Sequence, residues 1–276
     1  PVNTYAINLS VSGSGKGFST NIIEESVIHL FKERFLTETF PTLANQSIRK
    51  EAIRRAPRHN IPVDEMEEKL TKEFEMLGPL LFSFDSGTSP AIKQMRHKLL
   101  MSGAGSINLE IDEIGSNLVH NTDVLNTFLE LYDVGKIKPK LIKNTAENLR
   151  SEEIDGKTPT NMMLYGTPSK LMNGGRTEEE YMSMLDTGYA RRCLFGYSTK
   201  VLTDVSVTPE DLFDMLTDTS SDTVLDDLAI SMHKLADPIN FNSELALLKP
   251  ESLLLLEYKQ LCEKRARSMR EFEENV

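Results

Sequence analysis

Hydrophobic residues along this chain recur with two alternating periods. The segment from Tyr5 to Val11 alternates and is rich in β-forming residues, whereas apolar residues return at helical spacing from Phe18 to Phe35. The small residues between them predict a strand, a glycine loop and a helix. Further apolar segments predict strands at PLLFSF, SINLEIDEIG, NMMLYGTPSKLM and CLFGYSTKVL. The repetition of β and α segments favours an α/β fold.

Longer segments with helical spacing separate and follow these strands. VDEMEEKLTKEFEMLG, SPAIKQMRHKLLMSG and NTDVLNTFLELYDVG each predict a helix closed by glycine, and KIKPKLIKN predicts a basic extended segment. Residues 36–59 predict an irregular stretch with one basic helical piece. From Thr208 onward the pattern is helical. We therefore predict a core at residues 1–205 and a helical C-terminal extension at residues 206–276.

Composition narrows the class of protein. A chain of 276 residues that is 39% hydrophobic suits a globular core, and its net charge of −11 argues against a surface coated for nucleic acid, although basic groups can still gather in one groove or pore. Cys193 and Cys262 cannot form a disulfide framework or a zinc cluster by spacing, which favours a reducing, cytoplasmic location. No apolar run predicts a membrane span or a signal peptide. The start on a strand without an initiator Met favours a piece of a longer protein.

The stretch SVSGSGKGFS, residues 10–19, has the composition of a phosphate-binding loop. Glycines let consecutive N–H groups turn toward an anion, a lysine reaches the terminal phosphates, and a following helix adds its positive end. The alternative is a flexible glycine turn with a solvated lysine. The match to G-x-x-x-x-G-K-[ST] departs at Ser10 and at Gly17, which replaces the metal-binding hydroxyl residue. The predicted nucleotide-binding residues are Ser12, Gly13, Ser14, Gly15, Lys16, Gly17 and Phe18.

A second motif, INLEIDEIG, places Asp112 and Glu113 after an apolar strand. One carboxylate can hold magnesium and the other can polarise a water that attacks the γ-phosphate. A solvated loop or a helix cap is the alternative. Nucleoside monophosphate kinases also have glycine after the loop lysine, but Phe18 replaces their usual threonine and their arginine-rich lid pattern is missing. The pair of motifs therefore favours ATP hydrolysis with Mg²⁺ over transfer to a nucleotide.

Two later segments complete an order typical of motor-type ATPases. LYGTPSKL puts Thr167 at the tip of an apolar strand, and GYARRCLF puts Gly188, Arg191 and Arg192 before another strand. With G-T-P at residues 166–168 and G-x-x-x-R-x-L at residues 188–194, the chain resembles the P-loop ATPase domains of phage and mobile-element replicative helicases, which often follow a primase domain. The likeness covers roughly residues 5–197. Surface ion pairing is the alternative for both arginines.

The resemblance implies a fold, a set of roles and partners. The fold would be a P-loop NTPase core, a three-layer sandwich of RecA/AAA+ type. Lys16 would bind the β- and γ-phosphates, Asp112 the metal, Glu113 would be the base, Thr167 the sensor, and Arg192 an arginine finger acting on a neighbour. The protein would be a DNA helicase or translocase working as a homo-oligomeric ring on single-stranded DNA, in the host cytoplasm if phage-encoded. A nucleotide-dependent switch or assembly module with little turnover is the alternative.

Two basic runs are candidates for DNA contact against the acidic background. The first is Lys136, Lys138, Lys140 and Lys143, and the second is Arg49, Lys50, Arg54, Arg55 and Arg58. Phosphate contacts by such groups are strongly salt-dependent. A solvated face is the alternative for each run, since neither has interleaved aromatic residues. The five histidines show no metal-ligand spacing, so no structural metal is predicted.

Overall fold

The computed structural model describes residues 3–117, 122–137, 154–198, 207–220, 222–242 and 246–273. Four of the predicted strands form a parallel sheet there: β1 (Thr4–Ser10), β2 (Ile107–Ile111), β3 (Thr160–Gly166) and β4 (Cys193–Ser198). Their order is β2-β3-β1-β4. β3 thus lies between the strand that precedes the glycine loop and the strand that precedes the carboxylate pair. The predicted α/β class is confirmed.

Segment PLLFSF contributes less to the sheet than its composition predicts. Only Phe84 pairs with β2, through a parallel bridge to Leu109. The Phe84 N–H donates to the Asn108 carbonyl at 3.1 Å, and the Glu110 N–H donates to the Phe84 carbonyl at 2.9 Å. The segment therefore extends the sheet beyond β2 without forming a full strand.

One face of the sheet carries the main hydrophobic core. Alternate residues of β1, Tyr5, Ile7 and Leu9, are buried there together with their counterparts on β2 and β3. The Tyr5 hydroxyl donates to the Phe128 carbonyl at 2.7 Å, and its ring stacks on Tyr189. Side-chain period 2 explains this division, because every second residue of a strand points to the same face.

The opposite face is more polar than is usual for a parallel sheet. Asn161 on β3 donates through Nδ2 to Oδ1 of Asn108 on β2 at 2.9 Å, and Asn108 donates to the Phe82 carbonyl at 2.6 Å. On β1 the side chain of Asn8 contacts the sulfur of Met163 at 3.0 Å. These side chains are half-buried, and their hydrogen bonds tie neighbouring strands together.

Helices make up most of the described residues. They are α1 (Lys16–Ile22), α2 (His29–Arg34), α3 (Phe40–His59), α4 (Val63–Met76), α5 (Ser89–Ser102), α6 (Ile114–Asn117), α7 (Thr122–Val134), α8 (Pro168–Leu171), α9 (Arg176–Asp186), α10 (Pro209–Thr217), α11 (Asp222–Leu235) and α12 (Lys249–Glu273). The glycine stops are confirmed: Gly103 follows α5 with φ 67° and Gly135 follows α7 with φ 65°. Positive φ is the conformation that glycine adopts without strain.

The prediction of an irregular stretch at residues 36–59 is wrong, except for its basic helical piece, SIRKEAIRRAPR, which lies within α3. Two π-helical segments, Ile23–Ile28 and Phe35–Thr39, join α1, α2 and α3 into helix that continues from residue 16 to residue 59. Pro41 follows the second π segment; a proline lacks the N–H for a normal helical bond, which accounts for an irregularity at this point. α3 then packs against α4 and α5.

The C-terminal residues divide between two units. Residues 1–241 form one compact unit, and residues 242–276 form another, which contains α12. α11 belongs to the first unit, where Asp237 just after it receives Arg34 Nη2 at 2.9 Å. The boundary at residue 205 between a core and a helical C-terminal extension stays a prediction. None of the helices in the described ranges combines the length and apolar character needed to cross a lipid bilayer.

Candidate functional site

Three of the predicted site segments lie at one edge of the sheet. The glycine loop follows β1, the carboxylate pair follows β2, and Thr167 follows β3, so all three leave the carboxyl ends of parallel strands. In open α/β sheets ligands bind in the crevice outside these ends. The structure therefore brings together residues that are far apart in sequence.

The glycine loop has the backbone geometry that an anion site needs. Gly13 and Gly15 have φ 79° and 80°, and a Cβ at either would meet no atom within 4 Å, so the loop surface is open. Gly15 caps α1 without a side-chain hydrogen bond, which leaves the first backbone N–H groups of the helix for another partner. Across the base of the loop, the Ser10 and Ser14 hydroxyls are 2.8 Å apart. Ser10, a departure from the motif, thus braces the loop.

Lys16 turns back over the ends of two strands. Its Nζ donates to the Gly166 carbonyl at 2.9 Å, to Thr167 Oγ1 at 3.3 Å, and to the Ser10 carbonyl at 3.4 Å. All three acceptors are neutral. A phosphate would be a stronger partner for the ammonium group than any of them, because its negative charge adds Coulombic attraction to the hydrogen bond.

Thr167 links this lysine to the carboxylate of Glu113. The Thr167 hydroxyl, which accepts from Lys16, is 3.2 Å from Glu113 Oε2, and the Thr167 N–H donates to Oε1 at 3.4 Å. A hydroxyl has one hydrogen to donate and two lone pairs that accept, so it can serve both neighbours at once. Lys170 Nζ also lies 3.4 Å from Glu113 Oε2. The result is a line of contacts, Lys16–Thr167–Glu113–Lys170.

Two members of this arrangement were not predicted. Lys170 is on α8, directly after the G-T-P segment, and its exposed position gave no hydrophobic signal. Gly166 supplies the carbonyl for Lys16, and a Cβ there would lie 2.8 Å from both Ile114 Cγ1 and Leu171 Cδ1. The glycine of G-T-P is therefore a packing requirement that lets the segments after β2 and β3 approach each other.

The surroundings of Asp112 suit a cation. Asp112 is exposed just beyond β2. Burial raises the pKa of Glu110, two residues earlier on the same strand, and the negative charges of Glu24 and Asp112 raise it further. Within the described ranges no three acidic, His or Cys side chains are grouped to hold a metal alone. Mg²⁺ is commonly bound by one or two carboxylates together with substrate phosphates, and Asp112 fits that use.

Thr20 carries a hydroxyl near Gly17, where the motif's metal-binding hydroxyl is missing. Thr20 Oγ1 donates its hydrogen to the Lys16 and Gly17 carbonyls at 3.1 Å each, and these bonds do not use the oxygen lone pairs that a metal would need. Ser19 is exposed one residue earlier. Phe18 is 70% exposed beside the loop, where an aromatic face is open to a planar ligand.

Arg192 lies at the other edge of the sheet. The register pairs Cys193 with Tyr5 and Ser198 with Ser10, so Arg192 is at the amino edge, about 17 Å along the strands from the glycine loop. Its guanidinium donates to both oxygens of Asp133, at 2.7 and 3.3 Å, and to the Gly188 carbonyl at 3.1 Å. Arg192 therefore does not join the other predicted residues within one chain.

The basic runs are largely paired where they are described. Lys136 Nζ is 2.6 Å from Asp155 Oδ1, and Lys138, Lys140 and Lys143 lie outside the described residues. In the second run, Arg49 pairs with Asp64 at 2.8 Å and with Glu67. Arg54 and Arg55 both pair with Glu51. These carboxylates compete with any phosphate for the same cations.

Comparison with protein-family models, with curated proteins and with solved structures finds no match to this chain.

Proposed function

We propose that this protein binds and hydrolyses a nucleoside triphosphate at the carboxyl edge of its sheet. The line of contacts from Lys16 through Thr167 to Glu113 is the observation that carries the proposal. It joins the cation of the glycine loop to the carboxylate after β2, and these are the two groups that phosphate binding and water activation need. The strand order supports it, since β3 holds Thr167 between them.

Each residue of the candidate site would have a separate role in hydrolysis. The loop N–H groups and Lys16 would hold the phosphates of ATP, Glu113 would orient the attacking water and take its proton, and Thr167 would contact the γ-phosphate. Asp112 would hold Mg²⁺ together with the phosphates, and the ion would neutralise charge that develops there. Lys170 would keep the carboxylate of Glu113 in place.

We further propose that hydrolysis drives an oligomeric motor on single-stranded DNA. Support comes from the order of the motifs along the chain and their likeness to phage-type replicative helicases, with a primase as a possible neighbour. Both cysteines are free thiols, which is compatible with a reducing cytoplasm. The experiment measures ATP hydrolysis with and without single-stranded DNA, and molecular mass with and without nucleotide. We expect DNA to stimulate hydrolysis, less so as salt is raised, and nucleotide to increase the mass.

A constant rate of hydrolysis with DNA, together with a monomeric mass in all conditions, would contradict the motor.

A specific observation favours the switch as the second candidate. The loop has Gly17 where the motif carries a metal-binding hydroxyl residue, so the metal loses one common ligand at that position. A protein that binds ATP tightly but hydrolyses it no faster with DNA would fit the switch.

Arg191 and Arg192 are adjacent, and Arg192 is the predicted arginine finger. We expect Arg191, and not Arg192, to act on another molecule. Arg191 is exposed, whereas the Arg192 side chain is only 11% exposed and lies 5.6 Å from the Tyr132 ring centroid. Arg192→Ala should lower the free energy of unfolding by about 1–2 kcal/mol because it removes hydrogen bonds and a cation–π contact. Arg191→Ala should leave stability unchanged and lower DNA-stimulated hydrolysis. Urea unfolding and ATPase assays of both variants test this.

The pH dependence of stability provides a control for the ion pair between Arg192 and Asp133. Its guanidinium lowers the pKa of Asp133 below the usual 3.8. A lowered folded-state pKa contributes stability above the unfolded value and loses it as pH falls through the folded one. The stability difference between the wild type and Arg192→Ala should therefore shrink below about pH 4. Equal stability of the two proteins at pH 7 would show that the Asp133 pair is not structural.

A further inference from the structure

Helix α12 has an exposed apolar stripe along one side. Leu254, Tyr258 and Leu261 recur at intervals of four and three residues, so they share one side of the helix. Their exposed fractions are 68%, 66% and 47%. Arg265, which is also exposed, continues the same side four residues later. Amphipathic helices with anchors at this spacing typically bind against an apolar groove or another helix.

Helix α11 has apolar residues on two sides. One side, which includes the buried Ala229, packs against α2 and the π-helical segment Ile23–Ile28. A second set, Val224, Leu228 and Leu235, lies at intervals of four and seven residues and therefore shares another side. Each of these three side chains is about half exposed or more. Apolar residues on more than one side are typical of a helix that is covered on more than one side.

The stripe on α12 and the stripe on α11 match in length. Each spans eleven residues between its ends, from Leu254 to Arg265 and from Val224 to Leu235, which is about 17 Å along a helix. If two such helices lie antiparallel, Leu254 comes opposite Leu235, and Arg265 comes within one helical turn of Asp227. An apolar contact would then form one end of the pairing and an ion pair the other.

The charges beside the two stripes are opposite in sign. Residues 207–233, which include α10 and most of α11, hold seven Asp and Glu and neither Lys nor Arg. On α12, Lys264, Arg265 and Arg267 are exposed within four residues. Within the described residues, neither these three cations nor Asp227 has an ion-pair partner; α12 pairs Lys259 with Glu263 instead, at 3.8 Å. The unpaired charges are complementary, and this favours a partner that carries both surfaces.

We propose that α12 of one copy of this chain binds antiparallel along the exposed stripe of α11 on a second copy. Both stripes are exposed in the single chain and every copy supplies both, so the second copy can return the same contact and close a dimer. The apolar residues would be removed from water, and the pair of Arg265 with Asp227 would set the orientation. The contact needs no nucleotide, so it does not depend on the proposed hydrolysis.

The first test measures the mass of the whole chain without nucleotide by analytical ultracentrifugation. The mass should rise from monomer toward dimer with protein concentration, and added salt should weaken the dimer. Leu254→Ser should weaken it at least about tenfold, because a leucine is no longer buried. Leu256→Ser is the matched control: this leucine is 53% exposed on the opposite side of α12 and should leave the dimer unchanged. A chain that stays monomeric at every concentration, or equal effects of the two variants, overturns the proposal.

The second test exchanges the charges. Asp227→Lys and Arg265→Glu should each weaken the dimer about tenfold when measured alone, because like charges then face each other. An equimolar mixture of the two variants should restore it, since each copy then meets a partner of opposite charge at both contacts. Restoration only in a chain that carries both substitutions would show that the pairing occurs within one chain and would overturn the proposal. So would a mixture no tighter than either variant alone.

Discussion

Replacing Glu113 by Gln should reduce ATP hydrolysis by about 10²–10⁴-fold while nucleotide affinity stays the same. Glutamine keeps the size of the side chain and can still accept from Thr167, whose hydroxyl lies 3.2 Å from Oε2. It cannot accept a proton from water. Phosphate release under multiple- and single-turnover conditions measures the loss, and a fluorescent ATP analogue measures binding.

The matched control for this variant is Glu179→Gln, an exposed glutamate on α9. It should hydrolyse ATP at the wild-type rate. If the wild type is no faster than Glu113→Gln, with and without single-stranded DNA, hydrolysis by this site is refuted and the switch is the better description.

Replacing Lys16 by Met should weaken ATP binding by about 100-fold or more. The side chain keeps its length but loses the ammonium group, and hydrogen bonds that involve a charge contribute about 1.5–3 kcal/mol each. Two such bonds to phosphate correspond to at least about 3 kcal/mol, or about two decades in Kd. Calorimetric titration with ATP measures the change.

Lys16→Met also removes the three hydrogen bonds that Nζ donates to Gly166, Thr167 and Ser10 in the absence of ligand, so it should lower stability as well, and affinity is compared on variant protein shown by urea unfolding to be folded. Lys69→Met is the control, since Lys69 is exposed on α4 and pairs with Glu65 at 2.9 Å. Retention of wild-type affinity in Lys16→Met would show that the glycine loop is a turn and not a phosphate site.

The strands, and the order in which the candidate functional residues follow them, could be predicted because both depend on local sequence patterns. β1, β2 and β3 are apolar runs that end in small or charged residues, and each was predicted within a few residues of its position. α3 was predicted only through its basic piece, SIRKEAIRRAPR, because it buries small side chains, Ala44, Ala52 and Ala56, which give little hydrophobic periodicity. Pro41 and Pro57 within the same stretch also argued locally against a helix.

For the candidate site, the sequence could predict only that each residue lies next to the end of a strand. The position of β3 between β1 and β2 is set by tertiary structure, which local patterns do not show. The roles of Gly166 and Lys170 depend on that position. The position of Arg192 at the opposite edge follows from the sequence. It precedes a strand, whereas the glycine loop, Asp112 and Thr167 follow strands, and in a parallel sheet residues before and after strands lie at opposite edges.

That separation gives the molecule two unlike ends. One end presents the glycine loop and the other presents the turn with Arg191 and Arg192. If an arginine of one copy serves the loop of the next, the contact joins different surfaces and leaves each copy with one unused end. Such a heterologous contact either closes into a ring after a fixed number of copies or grows into a filament. The rotation between successive copies, and not the strength of the contact, would then decide the number of active sites per assembly.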